Sequence, residues 1–148
     1  MDKAFRMEEI MKKTQTIDRT LTPKSGELQP GMVTELMTSK DTCATEHLLG
    51  TYCTLLPAGE SQLRKHWDAE CAWYLVKGSV KVVIIEADGN RIEEECKAGD
   101  ACYINPGDAH QEVNLSIEEN AEIIMCFANP ENKKCNCFDD LGTEVIGQ

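Results

Sequence analysis

The chain has 148 residues, 41% of them hydrophobic and 28% charged, a composition typical of one globular domain with its own core. Its formal net charge of −11 argues against nucleic acid as a partner, because phosphate binding needs clustered Lys and Arg. No apolar run is long enough to span a bilayer, and the charged N-terminus lacks the pattern of a secretory signal. We therefore expect no membrane contact and a cytoplasmic location.

The first 30 residues predict an arm rather than part of a core. Residues 2–13 spread a few apolar side chains among charges, which is the pattern of a short amphipathic helix or of a frayed terminus. Residues 14–30 are polar and are interrupted by proline and glycine, which break any long element. We expect this arm to lie along the body or to reach a neighbouring subunit.

Short strand-like runs separated by turn residues follow from residue 32 to residue 128. Because helical periodicity is almost absent and no internal repeat occurs, this pattern predicts a single all-β sandwich or barrel over residues 31–130. The tail at 131–148 is polar, and we expect it to cover a strand edge or to remain loose. The expected strands are Met32–Met37, Leu48–Leu56, Trp73–Val76, Val80–Ile85, Arg91–Lys97, Ala101–Ile104, His110–Leu115 and Ala121–Ala128.

Eight cysteines are expected to be free thiols, since a chain without a secretory signal lies in a reducing compartment. Cys53, Cys102 and Cys126 fall in apolar runs, where Cys behaves as a small hydrophobe. Cys135 and Cys137 instead follow two lysines. Cations lower thiol pKa values, so a labile disulfide or an adventitious metal site is an alternative there to incidental thiols.

The segment Gly99–Asn114, GDACYINPGDAHQEVN, combines a strand, a Pro-Gly turn and a second strand. Along the second strand, side chains alternate, so His110, Glu112 and Asn114 share one face. Alternation alone favours a polar outer face, with Val113 and Leu115 packed inside.

This segment resembles the second sequence motif of the cupins, with Gly99, Gly107, His110 and Asn114 at the matching positions and Asn105 in place of the motif's proline. The resemblance implies a single cupin β-barrel of the double-stranded β-helix, jelly-roll type. It also implies that His110 faces the lumen and binds a metal.

The first cupin motif resembles the stretch from Gly59 to Gly78, which contains only one of its two histidines. A His-Trp dipeptide similar to that of oxalate decarboxylases puts His66, Asp68 and Glu70 in the ligand positions. Counting back from Gly78 instead puts Cys71 in the acid position and leaves Lys65 and Trp67, or Arg64 and His66, in the histidine positions. We prefer the first set slightly. With His110, it suits Fe(II), Mn(II) or Zn(II), whereas His66, Cys71 and His110 favour Zn(II) or Fe(II).

The resemblance implies a metal-dependent enzyme acting on an organic acid or similar small polar molecule, by decarboxylase, dioxygenase, isomerase or lyase chemistry. Glu70 or Glu112 is then the candidate proton-transfer group, since burial raises the pKa of a carboxylate. The alternative is a non-catalytic small-ligand-binding or sensing cupin that has lost its metal, which the missing histidine favours. We also expect a homodimer, because pairing open sheet edges across a two-fold axis protects them.

Overall fold

The computed structural model describes residues 14–21, 31–65, 69–128, 136–138 and 144–145. The candidate ligands His66 and Asp68, the start of the arm, the thiol of Cys135 and most of the tail lie outside the described residues. No helix in the described part of the chain is long and apolar enough to cross a membrane.

The chain folds into two antiparallel sheets. The five-stranded sheet has the order β1-β2-β9-β4-β7, and the six-stranded sheet has the order β11-β10-β3-β8-β5-β6. The strands are β1 Met32–Thr38, β2 Leu48–Leu55, β3 Leu63–Lys65, β4 Glu70–Lys77, β5 Ser79–Ile85, β6 Arg91–Lys97, β7 Ala101–Ile104, β8 Ala109–Asn114, β9 Ala121–Ala128, β10 Asn136–Phe138 and β11 Glu144–Val145. A single helical turn, α1, spans Lys40–Cys43, and a 3-10 turn spans Arg19–Leu21.

The predicted all-β architecture is confirmed, and each predicted strand matches an observed one. Strand β3 was not predicted, because its three residues, Leu-Arg-Lys, carry no alternating apolar pattern. In the tail, β10 pairs with β3, so the tail covers the edge of that strand. This agrees with the first of the two expectations for the tail.

The hydrophobic core lies between the sheets. Strand β4 alternates strictly, with Cys71, Trp73 and Leu75 buried and the residues between them exposed. Val80 and Val82 from β5 and Ile123 and Met125 from β9 belong to the same buried cluster. The period of two in these strands therefore separates an interior face from an outer face in both sheets.

Part of the arm packs on the outer face of the five-stranded sheet. The Arg19 Nε–H donates to the Glu35 carboxylate, and the Arg19 guanidinium lies 3.6 Å from the centroid of the Tyr52 ring. Glu35 and Tyr52 are cross-strand partners on β1 and β2. Arg19 of the arm thus lies against this sheet.

Candidate functional site

Strand β8 turns His110, Glu112 and Asn114 toward the interior, where their exposed fractions are 0%, 0% and 4%. The shared face predicted for these three residues is confirmed. The opposite expectation from alternation alone, with Val113 and Leu115 inside, is wrong, since Leu115 is exposed and Val113 is only partly buried. Three polar side chains therefore line the interior next to the Pro106-Gly107 turn.

Glu112 is the centre of a buried polar network. The His110 Nδ1 atom lies 2.8 Å from Oε1 of Glu112, while Oε2 accepts a hydrogen bond of 2.9 Å from the Ser61 hydroxyl and one of 3.2 Å from Arg64. The Glu112 backbone N–H in turn donates to the Ser61 hydroxyl oxygen. Both carboxylate oxygens are thus engaged, and the carboxylate is fixed against β3 and the loop that precedes it.

The charges around Glu112 decide its protonation state. Burial alone opposes ionisation, but the charges of His110 and Arg64 and the hydrogen bonds from His110 and Ser61 outweigh it, so the pKa of Glu112 lies well below its ordinary value. The expected rise of the pKa by burial is therefore wrong for this residue. Glu112 is an ionised hydrogen-bond acceptor at neutral pH and has no proton to donate.

Arg64 was considered only as one occupant of a histidine position, yet it is a principal residue of the interior. It is 6% exposed and lies directly opposite His110 in the pairing of β3 with β8. Lys65, its neighbour, is only partly buried and belongs to the other face. The sequence could have predicted this placement. Residues two positions apart on an extended strand share a face, so Arg64 is expected on the same face as His66, the one histidine of the motif.

Strand β4 separates the two acid-position candidates. Glu70 is exposed, and its carboxylate accepts a 2.6 Å hydrogen bond from the Tyr103 hydroxyl on the outer face. Cys71 is 1% exposed and faces the interior. The structure therefore does not bring Glu70 to His110. The interior acid-position candidate on β4 is therefore Cys71, while His66 and Asp68 lie outside the described residues.

Interior thiols on the five-stranded sheet face Glu112. Burial raises the pKa of the Cys71 thiol strongly and that of Cys102 to about 12, and the negative charge of Glu112 adds to both shifts. Burial also raises the pKa of Cys53. These thiols are protonated at neutral pH, and a buried protonated thiol is a poor nucleophile.

Asn114, the last residue of the second motif, has a structural role. Its amide nitrogen donates to the backbone carbonyls of Leu55, Leu56 and Glu119, at 3.2, 3.0 and 2.8 Å, and its Oδ1 accepts from the Ser116 backbone N–H. It thereby joins the ends of β2 and β8 to the loop before β9. The asparagine does not belong to the polar network around Glu112.

Gly59, which opens the first motif, also has a packing role. A Cβ at this position would lie 2.5 Å from the Gly31 carbonyl oxygen and 2.8 Å from that of Leu56. Only glycine fits such a close backbone approach. Two of the matched motif positions, Gly59 and Asn114, thus hold the barrel together rather than contact a ligand.

One residue of the network suits a metal, and another opposes it. A histidine that donates one ring N–H to a carboxylate, as His110 does to Glu112, has the arrangement usual for metal ligands. However, the Arg64 guanidinium brings a positive charge to the same carboxylate. Among the residues that the structure describes, no three of His, Cys, Asp and Glu are placed to share an ion. These residues alone do not fit a metal centre.

His47, the histidine outside both motifs, is exposed beside Glu46. Ser61 was not predicted, because a lone serine two residues after a glycine carries no signal, and its role depends on the long-range contact with Glu112.

No protein-family model matches the chain. A curated relative, oxalate decarboxylase of Bacillus subtilis (strain 168), is 28% identical over 101 residues, which cover 68% of this chain; the chain spans a quarter of that protein's length. The oxalate decarboxylase of Lactobacillus farciminis, solved as a formate complex, matches with a TM-score of 0.66 and 20% identity over 90% of this chain and 37% of that chain. An RmlC-like cupin from Shewanella frigidimarina matches with a TM-score of 0.63 and 16% identity over 79% of this chain and 92% of that chain. The chain therefore has the cupin fold, and the cupin resemblance of its second motif is confirmed.

Proposed function

We propose that this chain is a small-ligand-binding cupin whose interior site is built on the Arg64–Glu112–His110 network and takes a small carboxylic acid. The observation that carries the proposal is the buried guanidinium of Arg64, which pairs with Glu112 and lies opposite His110, the histidine of the second motif. A fixed cation beside His110 opposes a second cation and favours an anion by the same Coulomb interaction.

Charge balance selects a monoanionic group on the ligand. The positive charges of Arg64 and His110 face the single negative charge of Glu112. A carboxylate ligand would restore neutrality in an interior where an uncompensated charge is costly.

The known proteins of similar fold support this ligand class by their names. One is an oxalate decarboxylase, and another oxalate decarboxylase was solved with formate. Both names refer to small carboxylic acids. The proposal extends that ligand class to this chain without assigning to it the decarboxylation reaction.

Calorimetric titration with formate, acetate and oxalate, in buffer containing a chelator, tests the proposal. We expect saturable binding of at least one of these acids at about pH 6, because a carboxylate balances the two positive charges that face Glu112. The double variant Arg64→Met/Glu112→Leu removes the ion pair without leaving either charge buried alone, and it should abolish binding. Arg91→Met, which removes an exposed arginine that pairs with Glu93, is the matched control and should bind normally. Undiminished binding by the double variant would overturn the proposal.

A metal-dependent enzyme acting on an organic acid is the second candidate, and the hydrogen bond from His110 Nδ1 to Glu112 favours it. Both of its candidate ligand sets, His66, Asp68 and Glu70 with His110 or His66 and Cys71 with His110, need His66, which lies outside the described residues. Metal analysis of protein purified without a tag distinguishes the two. Stoichiometric Fe, Mn or Zn that is lost in His110→Ala but retained in His47→Ala would replace the first proposal with the second.

A further inference from the structure

Trp73 carries a buried polar atom to which neither the core packing nor the network around Glu112 gives a role. Its side chain is 2% exposed and lies on the interior face of β4. The indole Nε1–H has no hydrogen-bond partner among the residues that the structure describes. An indole nitrogen can only donate, and a buried donor without an acceptor lowers stability. The interior of the barrel therefore holds a donor that an oxygen atom of a ligand would satisfy.

Strand register places Trp73 in the part of the five-stranded sheet that faces Glu112. It lies between Cys102 of β7 and Met125 of β9, and Cys71 precedes it by two residues on the same face of β4. Burial is the main cause of the raised pKa of both cysteines, and the negative charge of Glu112 is the next one. Glu112 therefore faces the neighbours of Trp73 both along its strand and across to β7.

The side chains around Trp73 offer its indole little to donate to. Cys102 and Met125, its partners across the sheet, present sulfur, which is a weak acceptor. Both carboxylate oxygens of Glu112 already accept hydrogen bonds within the network. A carboxylate ligand is a much better acceptor, because a hydrogen bond to an ionised oxygen is about twice as strong as one between neutral groups.

We propose that Trp73 is a ligand-binding residue of the interior site and that its indole N–H donates a hydrogen bond to the carboxylate of the bound acid. The inference rests on the proposed function, from which it takes the ligand class. It adds a neutral donor from the five-stranded sheet to the positive charges that the six-stranded sheet supplies through Arg64 and His110. The indole and the guanidinium do not compete, since each of the two carboxylate oxygens accepts more than one hydrogen bond.

The test follows the indole N–H signals of the ¹⁵N-labelled protein by NMR while formate is added under the conditions of the calorimetric titration. The chain has two tryptophans, and Trp67→Phe leaves only the Trp73 signal, which assigns it. We expect the Trp73 indole proton to move downfield with the occupancy measured by calorimetry, because a stronger hydrogen bond deshields the proton. Trp73→Phe keeps an aromatic ring and removes the donor, and it should weaken formate binding at least about tenfold.

Tyr74→Phe is the matched control, because it removes one hydrogen-bonding group from the next residue of β4, whose ring is exposed on the outer face. This variant should bind formate like the wild type, and melting curves show whether each variant is folded. If the wild type binds formate but the Trp73 signal does not move, the inference is wrong and the proposed function stands. That holds even where Trp73→Phe weakens binding, since the loss then comes from the packing of the ring. A wild type that binds none of formate, acetate and oxalate overturns both.

Discussion

His110 and Glu112 stand two residues apart on β8, their Nδ1 and Oε1 atoms 2.8 Å from each other, and both side chains are fully buried. An extended strand places the two side chains on one face, while Arg64 and Ser61 reach the same carboxylate from β3 and the segment before it. His110 and Glu112 are neighbours in the sequence, whereas Ser61 and Arg64 lie 51 and 48 residues away from Glu112.

Glu112→Gln should destabilise the fold strongly. The substitution leaves the Arg64 guanidinium buried without its counter-charge, and breaking a buried ion pair from one side costs about 3–5 kcal/mol. Urea unfolding monitored by circular dichroism measures the change. Glu94→Gln, at an exposed position on β6, should change the unfolding free energy by less than about 0.5 kcal/mol.

The double variant Arg64→Met/Glu112→Leu should recover most of that loss. Replacing both members of a buried pair by apolar side chains of similar size is often neutral. If the double variant is as unstable as Glu112→Gln, the penalty does not arise from an unpaired charge, and the explanation of the single variant is wrong.

Stability should fall in acid because the pKa of Glu112 is lower in the folded protein than its ordinary value of 4.5. A lowered pKa means that the unfolded chain binds the proton more tightly, so the contribution is complete above about pH 4.5 and is lost as the pH falls toward the folded value of about 2. Unfolding free energies measured from about pH 6 to about pH 3 check this. The Arg64→Met/Glu112→Leu variant should show a shallower decline, and an identical decline would assign the effect to other carboxylates.

The sequence was sufficient to predict eight of the eleven strands that the structure describes, because their alternation is a local property. The same alternation predicted that His110, Glu112 and Asn114 share a face. It could not decide whether that face points inward, since an interior of polar side chains needs partners from distant strands. The resemblance to the cupins predicted that His110 points inward.

Arg64 and Glu112 show why the chemistry of the interior was harder to predict. The sign of the pKa shift at Glu112 depends on Arg64, which is 48 residues away along the chain, and no local pattern joins them. Glu70 was a plausible ligand by type, but a strand separates neighbouring residues onto opposite faces. Cys71 took the interior position and Glu70 the outer one.

Thiol reactivity in the native protein should follow burial. Cys126 is exposed on the outer face of the five-stranded sheet, whereas Cys53 and Cys71 are buried and their pKa values are raised. Since the thiolate is the reactive form, iodoacetamide should modify Cys126 at least about tenfold faster than either buried thiol. Peptide mass mapping after timed quenching gives the three rates. Equal labelling of Cys53 and Cys126 would show that the interior opens on the time scale of the reaction.

A second measurement tests the prediction that the cysteines are free thiols. The six cysteines whose thiols the structure describes are free. Titration under denaturing, non-reducing conditions should therefore find most of the eight thiols of the chain. Three or four disulfides would contradict both this prediction and the reducing compartment from which it follows.

Asn114→Ala should destabilise the barrel without altering the interior network. The side chain makes three donor contacts and one acceptor contact to backbone groups at the ends of β2 and β8, and its loss leaves buried carbonyls without their partner. An unsatisfied buried polar group costs about 1–3 kcal/mol, so a decrease of at least that size in unfolding free energy is expected. Asn120→Ala, at an exposed position just before β9, is the matched control and should be nearly neutral. Carboxylate binding measured on the folded Asn114→Ala protein should be retained, because Asn114 makes no contact with Glu112 in the described network. Loss of binding with unchanged stability would instead make this asparagine part of the ligand site.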